Sequence, residues 1–300
     1  MVFAEMRRAP TIVNALCWVA AFVVSVAFFL KPIAAAHRGF FCDDEAIRYP
    51  FRHDTVSVSL LVVTCLIPAV VLVFALEVTY GVLSNKHRSG HDTCADDKSQ
   101  CNGLQRGLRD AGLVFACFMY GNALCFVLTE IFKVSFGRLR PSFLSACQPE
   151  TDVTSFANCS GLYVEDIVCL NPDTKLMSDM RKSFVSGHAS FSVFNMLFII
   201  LYLQRRLPFS TPRLVVSLLQ SVALGYTIFV MASRIFDHYH HPQDILGGAI
   251  LGVVTCLVTV FKICPRFILH PPRMELEQLP VTVNTKQGTS PPHTSCQTKE

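Results

Sequence analysis

Charge is scarce in this chain. Only 16% of its 300 residues are Asp, Glu, Lys or Arg, while 51% are hydrophobic and 24 are Phe. The mean hydropathy is +0.42. A water-soluble domain of this length needs far more charge on its surface, so a soluble globular enzyme is excluded. Strand-like alternation of apolar and polar residues is missing between the apolar runs, which argues against a closed membrane barrel. No internal repeat is evident, and the sequence lacks the clustered carboxylates that a magnesium site needs.

What the chain does have is six long apolar runs, near residues 11–30, 57–83, 111–132, 189–204, 213–232 and 244–263. Roughly 20 helical residues cross the hydrocarbon core of a bilayer. The expected fold is therefore an all-α polytopic membrane protein with six transmembrane helices, formed by residues 1–267. Residues 268–300, rich in Pro, Thr and Gln, read as a disordered cytosolic tail. Arg7, Arg8 and the "AAA" at 34–36 give the first run some features of a cleaved signal. Its apolar stretch exceeds the roughly 7–15 residues of a signal core, which favours a retained anchor.

Sidedness follows from charge and from one sequon. The loops at 84–110 and 204–213 carry Lys86, Arg88, Lys98, Arg106, Arg109, Arg205, Arg206 and Arg213, which favours the cytosol. The loops of the other parity are also basic, so charge alone does not decide. The single N-x-S/T sequon, "NCS" at Asn158, falls in a loop of that other parity. Both termini are then expected in the cytosol and the loops at 31–56, 133–188 and 233–243 outside, with Asn158 glycosylated. Of 13 cysteines, Cys42, Cys147, Cys159 and Cys169 fall in the outward loops. They allow three full disulfide pairings, among which the sequence does not choose.

Three polar clusters share that outward face. They are "KVSFGRLRP" at 133–141, "RKSFVSGHAS" at 181–190 and "SRIFDHYHHPQDILGG" at 233–248. Ionisable residues at membrane depth are costly, and their default reading is a functional site. Lys133, Arg140 and Arg234 supply fixed positive charge, and Arg suits bidentate contact with phosphate. Ser186 and Gly187 precede a helix start, where free N–H groups and the dipole favour an anion. Pro242 suits the first turn of the last helix. That puts His240 four residues before Asp244, a spacing at which the carboxylate can fold back onto the imidazole. One ring nitrogen held in this way leaves the other as a nucleophile. His188 is then the general acid for a leaving alkoxide.

Lys133-x6-Arg140-Pro141, Ser186-Gly187-His188 and Ser233-Arg234-x5-His240-x3-Asp244 resemble the three motifs of the type 2 phosphatidic acid phosphatase superfamily. The six runs, the sequon between the first two motifs, and "RGFFCDDEAIRYPF" at 38–51 are similar to its lipid phosphate phosphatase branch. The resemblance runs from about residue 10 to 265. It implies a phosphatidate phosphatase, a hydrolase of lipid phosphate monoesters such as phosphatidic acid, lysophosphatidic acid, sphingosine 1-phosphate and ceramide 1-phosphate. It also implies that His240 forms a phosphohistidine, Asp244 orients it and His188 protonates the lipid alcohol. Lys133, Arg140, Ser186, Gly187 and Arg234 would bind phosphate, with no metal or other cofactor. One departure is Val185, where the superfamily often has Pro. The implied setting is the plasma membrane, with Golgi, endoplasmic reticulum and endosomal membranes as further locations. Partners are membrane lipid phosphates and the bilayer; a homo-oligomer is left open, and no nucleic acid is expected.

Blander readings stand beside these. Taken singly, Lys133 and Arg181 suit interfacial snorkelling. His238 and His241 have no assigned role and read as polar loop residues or supports for the site. His87, His91, Cys94 and Cys101 match no usual zinc spacing and suit a solvated loop better. Gly248-x3-Gly252 fits packing inside the bundle at least as well as dimerisation. Two other functions are a catalytically silent scaffold, which would normally have lost a catalytic residue, and a lipid phosphotransferase, which would not be expected to carry Lys-x6-Arg-Pro.

Overall fold

The computed structural model describes residues 2–30, 33–89, 98–150, 161–207 and 211–264. In chain order the elements are α1 (Val2–Leu30), β1 (Phe40–Phe41), a 3-10 turn (Glu45–Ile47), α2 (Val58–Ser89) and α3 (Lys98–Phe136). These are followed by α4 (Phe143–Cys147), β2 (Tyr163–Val164), α5 (Thr174–Met180), α6 (Gly187–Arg206), α7 (Arg213–Phe236), α8 (Pro242–Val258) and a π turn (Thr259–Ile263). Among the described residues, six helices are long and apolar enough to cross a membrane, and all six expected runs are among them.

The third run extends further towards its N-terminal end than expected, over Gly103–Phe136, and there α3 packs tightly on α2. A Cβ on Gly81 would come within 2.5 Å of the Gly103 carbonyl, and one on Gly107 within 2.8 Å of the Glu77 carbonyl. Glycine at these positions lets the two backbones touch. Beside this contact Arg206 pairs with buried Glu77 at 2.6 Å, and Tyr202 donates to the same carboxylate at 2.9 Å. Arg206, counted above as a loop charge, is thus a half-buried structural cation.

α6 is the central helix, packed by α2, α3, α7 and α8, whereas α1 packs chiefly on α3. This explains why α6 is the least apolar span, at a mean hydropathy of 1.3 against 2.8 for α2. A helix surrounded by protein does not need a lipid-facing surface. Its polar residues bind its neighbours instead: Ser190 to Thr129 at 2.9 Å, and Asn195 to Asn122 at 2.9 Å. α8 lies against α6 through Gly248 and Gly252, where any Cβ would run into the Ser186 and Ser190 carbonyls. The Gly248-x3-Gly252 pattern therefore serves packing within the bundle.

The segments at 33–57, 137–150, 161–186 and 237–241 gather at one end. There β1 and β2 pair antiparallel, and a small core forms from Phe40, Ile47, Leu139, Phe143, Leu144, Ala146 and Met180. A Cys147–Cys169 disulfide fastens this layer, and Cys42 is also disulfide-bonded. Cys65, Cys125 and Cys256, inside the bundle, are free. Asn158, Cys159, His91, Cys94 and the tail at 268–300 lie outside the described residues, as do the side chains of His87 and Cys101.

Gly248→Ala should push α8 off the first turn of α6 and displace Ser186. Overpacking of this kind costs about 1–3 kcal/mol. Gly225 on α7 has open space around it, so Gly225→Ala should be neutral or stabilising by up to about 1 kcal/mol. Thermal unfolding of both variants in detergent checks this; equal midpoints would contradict the packing assignment.

Candidate active site

Helix ends position most of the site. Lys133 lies in the last turn of α3 and Arg234 in the last turn of α7. Ser186 is the N-cap of α6, its side chain accepting from the Ala189 N–H, so Gly187 and His188 occupy the first turn. Pro242 opens α8, with His241 as its N-cap and Asp244 in the first turn. Arg140 sits in the loop between α3 and α4, and His240 in the turn between α7 and α8. Lys133, Arg140, Gly187, His188, Arg234 and His240 all line one cavity of about 450 Å³. Ser186 and Asp244 lie just behind its wall and are fully buried.

The His240–Asp244 relation differs from the sequence expectation. The ring Nδ1 is 4.0 Å from Asp244 Oδ2, beyond hydrogen-bond range. It donates instead to the Ser183 carbonyl at 2.8 Å. Asp244 is engaged elsewhere. Its Oδ2 accepts from the His241 N–H at 2.9 Å, from His241 Nδ1 at 3.1 Å and from Ser183 Oγ at 2.6 Å. Arg138 pairs with its Oδ1 at 2.6 Å. The physical reason is the helix start: an acid at the third helical position satisfies the free N–H of the N-cap residue. Asp244 thus sets Ser183, and Ser183 holds the imidazole. In the tautomer that results, Nδ1 carries the proton and Nε2 keeps its lone pair. Burial, with Arg140, Lys133 and His188 nearby, pushes the His240 pKa well below 6.5, so the ring is neutral at neutral pH.

His188 Nε2 lies 3.0 Å from the Val56 carbonyl, which makes Nε2 the donor there. Val56 belongs to a strap at 48–57 that crosses the α7–α8 turn. Thr55 bonds Asp237 through both its N–H and its hydroxyl, and His238 Nδ1 meets the Pro50 carbonyl at 3.0 Å. His238 and His241 are therefore supports, one of the strap and one of Asp244.

Each cation has a carboxylate partner. Lys133 pairs with Glu130 at 2.7 Å, Arg140 with Asp179 at 2.8 Å, and Arg234 with Asp54 at 2.6 Å and Asp237 at 2.9 Å. Tyr239 lies under both guanidinium groups, 4.9 Å from Arg140 and 5.6 Å from Arg234. Arg140 Nε is buried and has no hydrogen-bond partner among the described residues. A buried donor left over beside three cations suits an oxyanion. Lys133 Nζ lies 3.3 Å from where a Cβ on Gly187 would stand, so glycine is what lets the ammonium rest on the start of α6. Among the described residues no group of three or more His, Cys, Asp or Glu side chains is arranged to hold a metal ion.

Sequence reasoning missed Arg138, Ser183, Val56, Asp54, Asp179 and Glu130. Arg138 and Ser183 fall inside the quoted motifs and were legible as polar residues at the site. Val56 acts through its backbone, and the three acids come from segments whose approach only the fold sets.

With this geometry in hand, comparison with known proteins is decisive. The PAP2 superfamily model matches residues 112–265, a stretch that holds all three motifs. The chain belongs to the PAP2 superfamily. Phospholipid phosphatase 2 of Mus musculus is 34% identical over 271 residues, covering 90% of this chain and 91% of the relative. Phospholipid phosphatase 1 of Rattus norvegicus is 37% identical over 234 residues, covering 77% and 76%. Phospholipid phosphatase 2 of Bos taurus is 33% identical over 270 residues, covering 90% and 88%. No solved structure matches the chain. This PAP2 member is a phosphatase, as the resemblance to the lipid phosphate phosphatase branch implied.

A base whose pKa is depressed stays unprotonated to lower pH than usual. The His240 ring of this PAP2 enzyme should therefore remain neutral as the pH falls from 7.5 through 6.5, while an exposed histidine takes up its proton. Ring carbon shifts of labelled histidine, assigned by comparison with His240→Gln, measure it. A His240 midpoint at or above 6.5 would contradict the burial and cation argument.

Proposed function

We propose that the chain hydrolyses lipid phosphate monoesters, such as phosphatidic acid, lysophosphatidic acid, sphingosine 1-phosphate and ceramide 1-phosphate, through a phosphohistidine on the extracellular or lumenal face. The carrying observation is the cavity itself. It holds a neutral His240 with Nε2 unprotonated and the cations Lys133, Arg140 and Arg234. The same cavity is lined by the apolar side chains Val26, Phe29, Val58, Leu61, Val62, Phe126 and Phe191. A cavity that combines fixed cations with a largely apolar lining matches the anatomy of a lipid phosphate.

His240 Nε2 attacks phosphorus as the bond from phosphorus to the lipid oxygen breaks. His188 gives its proton to that oxygen, and the lipid alcohol leaves. His188, now neutral, takes a proton from water, whose oxygen attacks phosphorus. The N–P bond breaks, inorganic phosphate is released and His240 is restored. Lys133, Arg140, Arg234, Ser186 and the N–H groups at the start of α6 stabilise the charge on the phosphoryl oxygens. Asp244, 4.0 Å from Nδ1, stabilises the imidazole as it becomes cationic during attack.

Three experiments test this. His188→Ala should be severely impaired on a lipid ester, by roughly 10²–10⁴-fold, yet partly rescued on a nitrophenyl phosphate, whose leaving group needs no proton. His240→Ala should be dead on both, and wild-type activity should persist in excess chelator. Equal rescue of the two variants would undo the division of roles, and activity restored only by added magnesium would undo the metal-free reading. For sidedness, glycosidase should shift the mobility of the wild type but not of Asn158→Gln. A protease-protected, unglycosylated 133–188 loop in intact cells would place the site on the cytosolic side.

A further inference from the structure

Resting on the phosphatase reading above, we propose that Glu130 reads the second carbon of the substrate. It selects lipid phosphates that carry a hydrogen-bond donor, an ammonium foremost, on the carbon next to the phosphoester carbon.

Four carboxylates pair with the cations of the cavity, and the three that line it, Asp54, Asp179 and Glu130, are not equivalent. Asp54 and Asp179 come from the outer loops, and their side chains are 32% and 48% exposed. Glu130 is 14% exposed and sits on α3, on the membrane side of Lys133. The cavity-lining residues of α3 run Lys133, Glu130, Thr129, Phe126, Cys125. At 1.5 Å of rise per residue, Glu130 lies about 4.5 Å inward of Lys133, and Phe126 about 10 Å. A lipid phosphate bound with its phosphate at Lys133 and its chain along Phe126 presents its second carbon at the level of Glu130. Ser25, Val26 and Phe29 of α1 line the same cavity.

Electrostatics gives the carboxylate its meaning. Held beside a phosphate site, Glu130 opposes the incoming dianion and draws charge from Lys133, so it weakens phosphate binding unless the substrate itself compensates. An ionised carboxylate only accepts hydrogen bonds. Oε1 takes one from Lys133 at 2.7 Å, and Oε2 makes none among the described residues. An ammonium on the second carbon would satisfy Oε2 and offset the repulsion. A hydroxyl would satisfy it without the charge, whereas an ester oxygen would set acceptor against acceptor. Sites built to bond a substrate donor discriminate strongly against analogues that lack it, because their own polar group is left unpaired.

The test compares three lipid phosphates of matched chain length in mixed micelles, bearing an ammonium, a hydroxyl or an ester on the second carbon. The wild type should rank them in that order by kcat/KM. Glu130→Gln should shrink the ammonium-to-ester ratio by about tenfold or more, chiefly through KM. Should Glu130→Gln fail to fold, Glu130→Asp, which keeps the charge but withdraws it by one methylene, should shrink the same ratio. A variant that lowers all three substrates equally would show that Glu130 only anchors Lys133, and an unchanged ratio would likewise overturn the proposal. Failure of the wild type to release phosphate from any of the three would instead sink the phosphatase reading on which this one rests.

Discussion

Asp244 has no contact with solvent, and each of the three motif loops is tied to it. Arg138 from the first loop, Ser183 from the second and His241 from the third all bond its carboxylate, while its own backbone carbonyl accepts from the Ser186 N–H at 3.0 Å. A buried carboxylate is tolerable only when its oxygens are fully partnered, and removing one partner from a buried pair costs roughly 3–5 kcal/mol. The site therefore assembles around Asp244 or not at all. The position of His240, set by the Ser183 carbonyl, is a consequence of that assembly.

Helix packing supplies the frame in which this can happen. Ser186 caps α6 and touches α8, and it can do both only because Gly248 brings the two backbones together. α6 in turn is centred by polar contacts to α3 that would be costly against lipid and are favourable inside a bundle. The same arrangement leaves α1 at the periphery, where it closes one side of the cavity with Val26 and Phe29. The cavity that holds the three cations is thus also lined by apolar side chains.

The cation count alone would suggest a strongly positive site, but the structure shows a balanced one. Glu130, Asp179, Asp54 and Asp237 offset Lys133, Arg140 and Arg234. Balance keeps long cationic side chains fixed in a partly desolvated cavity, so their donors are oriented in advance. Burial and the facing cations keep the imidazole of His240 neutral, and Asp244, at 4.0 Å, does not hydrogen-bond the ring, a contact that would favour its charged form.

Much of this was legible before any coordinates, for definite reasons. Six apolar runs dictate six membrane helices because the hydrocarbon core leaves a backbone few alternatives. Lys133, Arg140, Ser186, Gly187, His188, Arg234, His240 and Asp244 could be picked out because polar residues at membrane depth are costly and stand out against 51% hydrophobic residues. Local rules also placed Ser186 and Pro242 at helix starts. The sequence could not say which acceptor holds His240, since a spacing of four permits the Asp244 contact while the capping requirement of α8 takes that carboxylate for His241. Nor could it reveal Val56, whose only contribution is a backbone carbonyl, or Glu130, Asp54 and Asp179, which read alone are ordinary charged residues. Their partners are set by how the outer strap and the α3 face meet the bundle, and distance in three dimensions decides that, not position along the chain.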